Sequence, residues 1–254
     1  LCFLPLQFSI AQSTISGSIA FGAPTRGGLD GKIIRVTTLD ATGPGSLGEA
    51  IEAKGPRIVV FEVGGVIDLN KAEMNITEPF LTIAGQTAPF PGITLIKGGF
   101  WVNTHDIVIQ HLRVRPGDAG EPKRSGWASD GLTTSGGNAY NIIIDHCSFT
   151  WAVDENLSAS GRRTEGPDMT SHTITFSNNI IAEGLDDSSH EKGPHSKGSL
   201  IHDFCSDIAI IGNLFAHNEM RNPYFKISNI IFLQSGFLFF LFSNYFFIFF
   251  HFCN

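Results

Sequence analysis

The sequence predicts an all-β chain wound into a right-handed parallel β-helix, a solenoid. Two observations predict it. One short pattern recurs as IVIQHLRV, IIIDHCSF, ITFSNNII and IAIIGNLF, starting at Ile107, Ile142, Ile174 and Ile208 with spacings of 35, 32 and 34 residues. Near-regular spacing of that length marks stacked structural repeats. Each copy also alternates apolar residues, meets a polar kink (DHC, SNN, IGN) and resumes with a second short apolar run. That suits two short strands joined at a corner, stacked coil on coil.

Taken in chain order, residues 1–16 hold an apolar run ending in small and polar residues, as the rear of a secretory signal does. They are read as the remnant of such a signal, and the protein as secreted and extracellular. Residues 17–226 form the solenoid. Within them RIVVFEVGGVIDL, LTIAGQ and ITLIKGGFWV read as early coils, with Gly and Pro at the bends. Cys147, Asn179 and Asn213 fall at matching corners of later coils. Asn suits a corner because it tolerates left-handed backbone and its amides stack into hydrogen-bonded ladders. Polar inserts at 115–138, 151–171 and 183–207 interrupt the pattern. In solenoids such inserts gather on one face and build the binding site.

Residues 227–254 differ from the rest, with no Lys, Arg, Asp or Glu and 10 of the 22 Phe. Length and apolarity fit a membrane span, but basic flanking residues are missing. Phe, Ile, Leu, Asn and Ser are what A/T-rich DNA tends to encode. The segment is therefore read as read-through into non-coding sequence, with a membrane anchor as the second reading.

With 254 residues and 42% hydrophobic content the chain can bury a sizeable core. A net charge of -7 argues against a nucleic-acid partner, although a bound metal or a small cationic cleft can reverse the field locally. The four cysteines show neither a disulfide framework nor metal-finger spacing, and Cys147 and Cys205 are expected as buried free thiols.

Asp145 and His146 follow three isoleucines directly, and alternation would send them to opposite faces. A structural role is expected for the pair, because a buried carboxylate needs hydrogen-bond partners. Zinc at His190 and His195 is not expected, since their Gly-Pro loop lacks a third matching ligand.

The strings FGAPTRGG, RVTTLDATGPGSLGEAI, GPRIVVFEVGGVIDL, LTIAGQTAP, HLRVRPGD, IIIDHCSFTWAVDEN, HEKGPHSKG and HNEMRNP, in this order from Phe21 onward, together resemble the pectate lyase family of polysaccharide lyases. The resemblance implies a right-handed parallel β-helix, secretion, and calcium-dependent cleavage of polygalacturonate by β-elimination. It also implies a monomer with no protein partner. Asp130 and Asp154 correspond to calcium-binding acids, Arg221 in MRNP to the residue that takes the C5 proton, and Lys197 in HSKGSL to a substrate-binding lysine. Glu155, beside Asp154, is a further metal ligand on this reading, while Lys192 and His195 are placed on the substrate.

The residue chemistry agrees with most of this. Removing a proton next to a uronate carboxylate builds up negative charge that a hard cation stabilises, and calcium needs several oxygen ligands. An arginine base is awkward, because guanidinium is ordinarily always protonated. The sequence also departs from the family. Gly48 stands where Arg is common, Ser158 stands where related enzymes often carry another Asp, and the C-terminal coils are absent, so the solenoid is expected to be truncated there. Two rival readings remain at this level. One is a β-helical hydrolase of the same polymer using Asp186 and Asp187, and the other is a non-catalytic carbohydrate-binding β-helix.

Overall fold

The computed structural model describes residues 21–226 and the backbone of the strand Ile230–Leu233. The proposed signal remnant and most of the Phe-rich tail lie outside the described residues. Ile230–Leu233 falls within that tail, and its backbone pairs in parallel with Ser206–Ile211, Ile208 opposite Ile230. Among the described residues no helix is long and apolar enough to cross a membrane.

All strands pair in parallel and sort into three sheets, one of eight strands and two of six. The chain is a right-handed parallel β-helix, the hand expected of parallel crossovers. The recurring isoleucines define its register: Ile142 lies opposite both Ile107 and Ile174, and Ile174 opposite Ile208. All four are fully buried. They line the eight-stranded sheet, and Val114, Phe149 and Ile181 extend the same core from one of the six-stranded sheets. Each buried side chain of this size contributes about 1.5–3 kcal/mol.

The coils carry three strands rather than the two the repeat suggested. The third strands lie inside the supposed inserts: Leu132–Ser135, Leu157–Ser160 and Leu200–Ile201. With Met74–Ile76, Phe100–Val102 and Tyr224–Phe225 they form the second six-stranded sheet. Their apolar signal is weak because the outward positions carry Thr and Ser and the inward ones are few.

The corner needs a finer account as well. The left-handed residue is not Cys147, Asn179 or Asn213 but the one before each: His146 (φ 53°), Asn178 (φ 54°) and Gly212 (φ 63°). The following residues turn inward and ladder. Cys147 N–H donates to Asn179 Oδ1 at 2.9 Å, and Asn179 N–H to Asn213 Oδ1 at 2.8 Å. Asn179 Nδ2 closes the rung on the Ile144 carbonyl at 3.0 Å. Cys147 and Cys205 are buried free thiols.

The left-handed kink also breaks the alternation expected of Asp145 and His146. His146 Nδ1 lies 2.7 Å from Asp145 Oδ2, so both side chains project to the same outer side. Asp145 also accepts from Ser177 Oγ at 2.7 Å, Asn178 Nδ2 at 3.0 Å and Gln110 Nε2 at 3.1 Å. Burial acts to raise its pKa, but these donors outweigh it and hold the carboxyl below its ordinary value. The pair braces neighbouring coils.

At the N-terminal end the helix Leu47–Glu52 packs Leu47, Ala50 and Ile51 inward, capped where Ser46 Oγ accepts from Glu49 N–H at 3.1 Å. A side chain at Gly48 would bring its Cβ within 2.5 Å of the Ala41 carbonyl, so this backbone leaves room there for glycine alone. Arg57 is fully buried and donates to the carbonyls of Ala50, Ile51, Gly55, Glu78 and Pro79 at 2.5–3.1 Å, tying this helix to the next coil.

Asn179→Ala strands the buried Cys147 N–H and Ile144 carbonyl. The expected loss in urea unfolding is about 2–4 kcal/mol, and a loss below about 1 kcal/mol would show the ladder to be incidental.

Candidate active site

Register decides where the polar residues converge. The connections that lead into the second six-stranded sheet place Asp130, then Asp154 and Glu155, then Lys197, then Met220 and Arg221 on four successive coils. Leu132 pairs with Leu157, Glu155 bridges Lys197, and Lys197 bridges Met220. Backbone bonds continue the stack: Gly131 N–H to the Glu155 carbonyl at 2.9 Å, Asn156 N–H to Gly198 at 3.0 Å and Gly198 N–H to Met220 at 3.0 Å. Behind it runs a second asparagine ladder that the sequence reading missed. Asn156 Nδ2 donates to Asn218 Oδ1 at 3.0 Å, and Asn218 Nδ2 to Asn222 Oδ1 at 2.8 Å.

Of these residues Asp130, Asp154 and Glu155 border a cavity of about 290 Å³. Its floor is the outward row Trp101, Thr133 and Ser158, neighbours by register, and its wall includes Glu73, Asp130, Asp154 and Glu155. Glu73 was also missed, because its three-residue strand Met74–Ile76 is too short to show a pattern. Its carboxylate accepts from Ser129 Oγ at 2.7 Å and Gly99 N–H at 3.1 Å.

Asp130, Asp154 and Glu155 each bring a carboxylate oxygen within 4.8 Å of the others. Asp130 accepts from Glu155 N–H at 3.0 Å and from the Thr133 hydroxyl. Burial, then the charges of Asp154 and Glu73, push its carboxyl up to about 8 against the opposing pull of Thr133 and Arg221. Burial and the acidic neighbours both disfavour the ionised form of Asp130. Oxygen-only donors in such a cluster fit a hard cation such as calcium. Glu155 is buried and its carboxylate is paired with the Arg221 guanidinium. Burial lowers the pKa of Arg221, opposed by Asp154, Asp130 and Tyr224.

Lys197 is buried, with Nζ 3.1 Å from Met220 Sδ and 3.8 Å from Glu219. His195 faces Asp154, its Nε2 2.8 Å from Oδ1. Lys192 is exposed, and among the described residues its ammonium has no side-chain partner. Asp187, one of the carboxylates of the hydrolase reading, is exposed and ion-paired with Lys123, which holds its pKa below the ordinary value. A general acid needs the opposite shift.

Asp154, His190 and His195 form a second close trio, so the third ligand that the sequence reading found lacking is present. The tautomer argues against zinc instead. His190 Nδ1 accepts the Lys192 N–H at 3.1 Å, which leaves its own proton on the Nε2 that faces Asp154. A metal-ligating histidine has the reverse arrangement.

No protein-family model matches the chain. It is 36% identical over 228 residues to a protein of Emericella nidulans named "Probable pectate lyase C", covering 89% of this chain and 48% of that one. It is 37% identical over 211 residues to a protein of the same name from Aspergillus terreus, covering 83% and 44%. The chain is a relative of the pectate lyases. It spans about half the length of the pectate lyases it matches. The crystal structure of Jun a 1, the major allergen from cedar pollen, shares the fold, with a TM-score of 0.62 at 19% identity over 85% of this chain and 62% of that one.

For this pectate lyase relative, the raised pKa of Asp130 fixes a sign. Between its ordinary value of 3.8 and about 8 the folded chain keeps a proton that the unfolded chain releases, so this contribution to stability is full at low pH and is lost as pH rises. In chelator, Asp130→Asn should therefore gain stability relative to wild type as pH rises over that window. Melting curves with a constant difference between the two proteins would contradict the shift.

Proposed function

We propose that this chain is the site-bearing part of a secreted pectate lyase. On this reading it cleaves polygalacturonate by calcium-assisted β-elimination, acting as a monomer. The observation that carries it is the order of charges along the stacked coils: carboxylates that border the cavity on two coils, then a lysine and an arginine on the next two, the arginine reaching back to Glu155. Its kinship with pectate lyases supports the substrate class.

Asp130 and Asp154 would hold calcium, with Glu155 beside them. Calcium there supplies positive charge that stabilises the anion formed next to the uronate carboxylate. Lys197 is held in a dry site where its ammonium can meet a second carboxylate of the polymer. Arg221 faces the C5 proton. Burial draws its pKa down, the direction that eases proton acceptance, while the acids around it oppose the shift and Glu155 pairs with the guanidinium. As the proton leaves, the C5–H electron pair forms the C4–C5 double bond, the C4–O bond breaks, and the departing oxygen takes a proton from water.

The test follows the ultraviolet absorbance of the unsaturated product on polygalacturonate, with and without chelator. Wild type should show a chelator-sensitive rise, and Arg221→Ala should lose it by about 10²–10⁴-fold while still folding, with a lowered melting temperature because buried Glu155 loses its partner. Reducing ends without the absorbance would replace the lyase with a hydrolase, and a folded Arg221→Ala protein that still turns over would remove Arg221 from proton transfer. Asp154→Ala should raise the calcium needed for half-maximal rate; an unchanged requirement would take Asp154 out of the site.

A further inference from the structure

We infer that His190 and His195 are positioning residues for Asp154, fixing the rotation of the carboxylate that faces Asp130; the inference rests on the calcium-dependent reading of the cleft. The torsion that rotates an aspartate carboxylate about its stem is soft, so something outside the residue must set it. Here two ring nitrogens approach its two oxygens separately. His195 Nε2 lies 2.8 Å from Oδ1, and His190 Nε2 3.7 Å from Oδ2.

Both nitrogens carry protons toward the carboxylate. An ionised carboxylate only accepts, so the 2.8 Å contact requires His195 to donate from Nε2. His190 in its neutral form keeps its proton on Nε2 because Nδ1 accepts the Lys192 N–H. The hydrogen bond from His195 sets the carboxylate plane, and the longer contact from His190 favours the same rotation.

The rings themselves are immobilised. They stack with centroids 3.8 Å apart and planes 17° from parallel, and His190 and His195 are only 3% and 7% exposed. Their loop is tied at both ends, His195 N–H to the Asp186 carbonyl at 3.1 Å and Gly193 N–H to His190 at 3.1 Å. The insert before Asp130 clasps it from outside through Ser189 Oγ on the Trp127 carbonyl at 2.8 Å and Gly126 N–H on Ser189 at 2.9 Å. One insert therefore supplies the carboxylate and another the device that orients it. The histidine side of Asp154 is closed by this stack, while the lone pairs left over can serve a cation between Asp154 and Asp130.

The experiment titrates calcium into the 254-residue chain without substrate, by calorimetry, for wild type, His195→Ala and His195→Gln, alongside calcium-free melting curves and kinetics at limiting and saturating calcium. The Ala variant should bind about 10-fold more weakly, as expected when an outer partner of a metal ligand is lost. The Gln variant, which keeps an N–H at similar reach, should recover most of that affinity. The rate deficit of the Ala variant should shrink as calcium is raised from limiting to saturating, since the lost interaction acts on cation binding. An Ala variant that binds calcium as tightly as wild type overturns the inference and leaves the lyase reading standing. A Gln variant as weak as Ala also overturns it, because the ring and not its N–H would then be what matters. A wild-type chain that takes up no calcium overturns both.

Discussion

Everything in this molecule depends on coils stacking in parallel register about 4.8 Å apart. Once Ile107, Ile142, Ile174 and Ile208 sit opposite one another, every residue at a fixed offset from them is fixed too. The β-segments cannot vary in length without moving apolar residues out of the core, so surplus residues are confined to the connections between sheets. The cleft is built in those connections. Asp130, Glu155, Lys197 and Arg221 are far apart in sequence, yet they become neighbours because each lies just ahead of a strand in the same sheet.

Crowding charges in this way has an electrostatic cost that the arrangement handles in two ways. Glu155 is neutralised by Arg221 from two coils further on, and Glu73 by hydroxyl and backbone donors. Asp130 lacks such a partner close enough to offset its burial, and its raised pKa is the residue of that imbalance. Behind the charged face, the ladder of Asn156, Asn218 and Asn222 satisfies buried backbone groups, including the Ala182 and Ile181 carbonyls. The backbone that carries the acids and the arginine is thereby held without strands of its own. Rigid support of this kind is what a site needs if its groups are to converge on one ligand.

The repeat was legible because its inward residues are large and aliphatic, and the three early coils were legible for the same reason. The third strand of each coil was not. Leu132–Ser135 and Leu157–Ser160 turn Thr133 and Ser158 toward the cleft, so the residues that form the cavity floor erase the hydrophobic pattern that would have revealed the strand. Motif resemblance could nominate the acids and basic residues of the candidate site, but not their partners. Nothing in HEKGPHSKG indicates that His195 meets Asp154, which lies 41 residues earlier and one coil back. Glu73 had no signal at all.

Two aspartates placed a few residues apart show why geometry must decide between structure and chemistry. Asp145 and Asp154 each sit beside a histidine, at 2.7 and 2.8 Å. Around Asp145 four donors from its own coil and the adjacent ones occupy both oxygens, which is why its pKa falls despite burial and why no lone pair is left for a ligand. Around Asp154 the donors come from one side only, and the other side opens on Asp130 and the cavity. A carboxylate saturated by its own fold braces that fold. One that is oriented but left unsaturated keeps acceptor capacity on the side that faces Asp130 and the cavity.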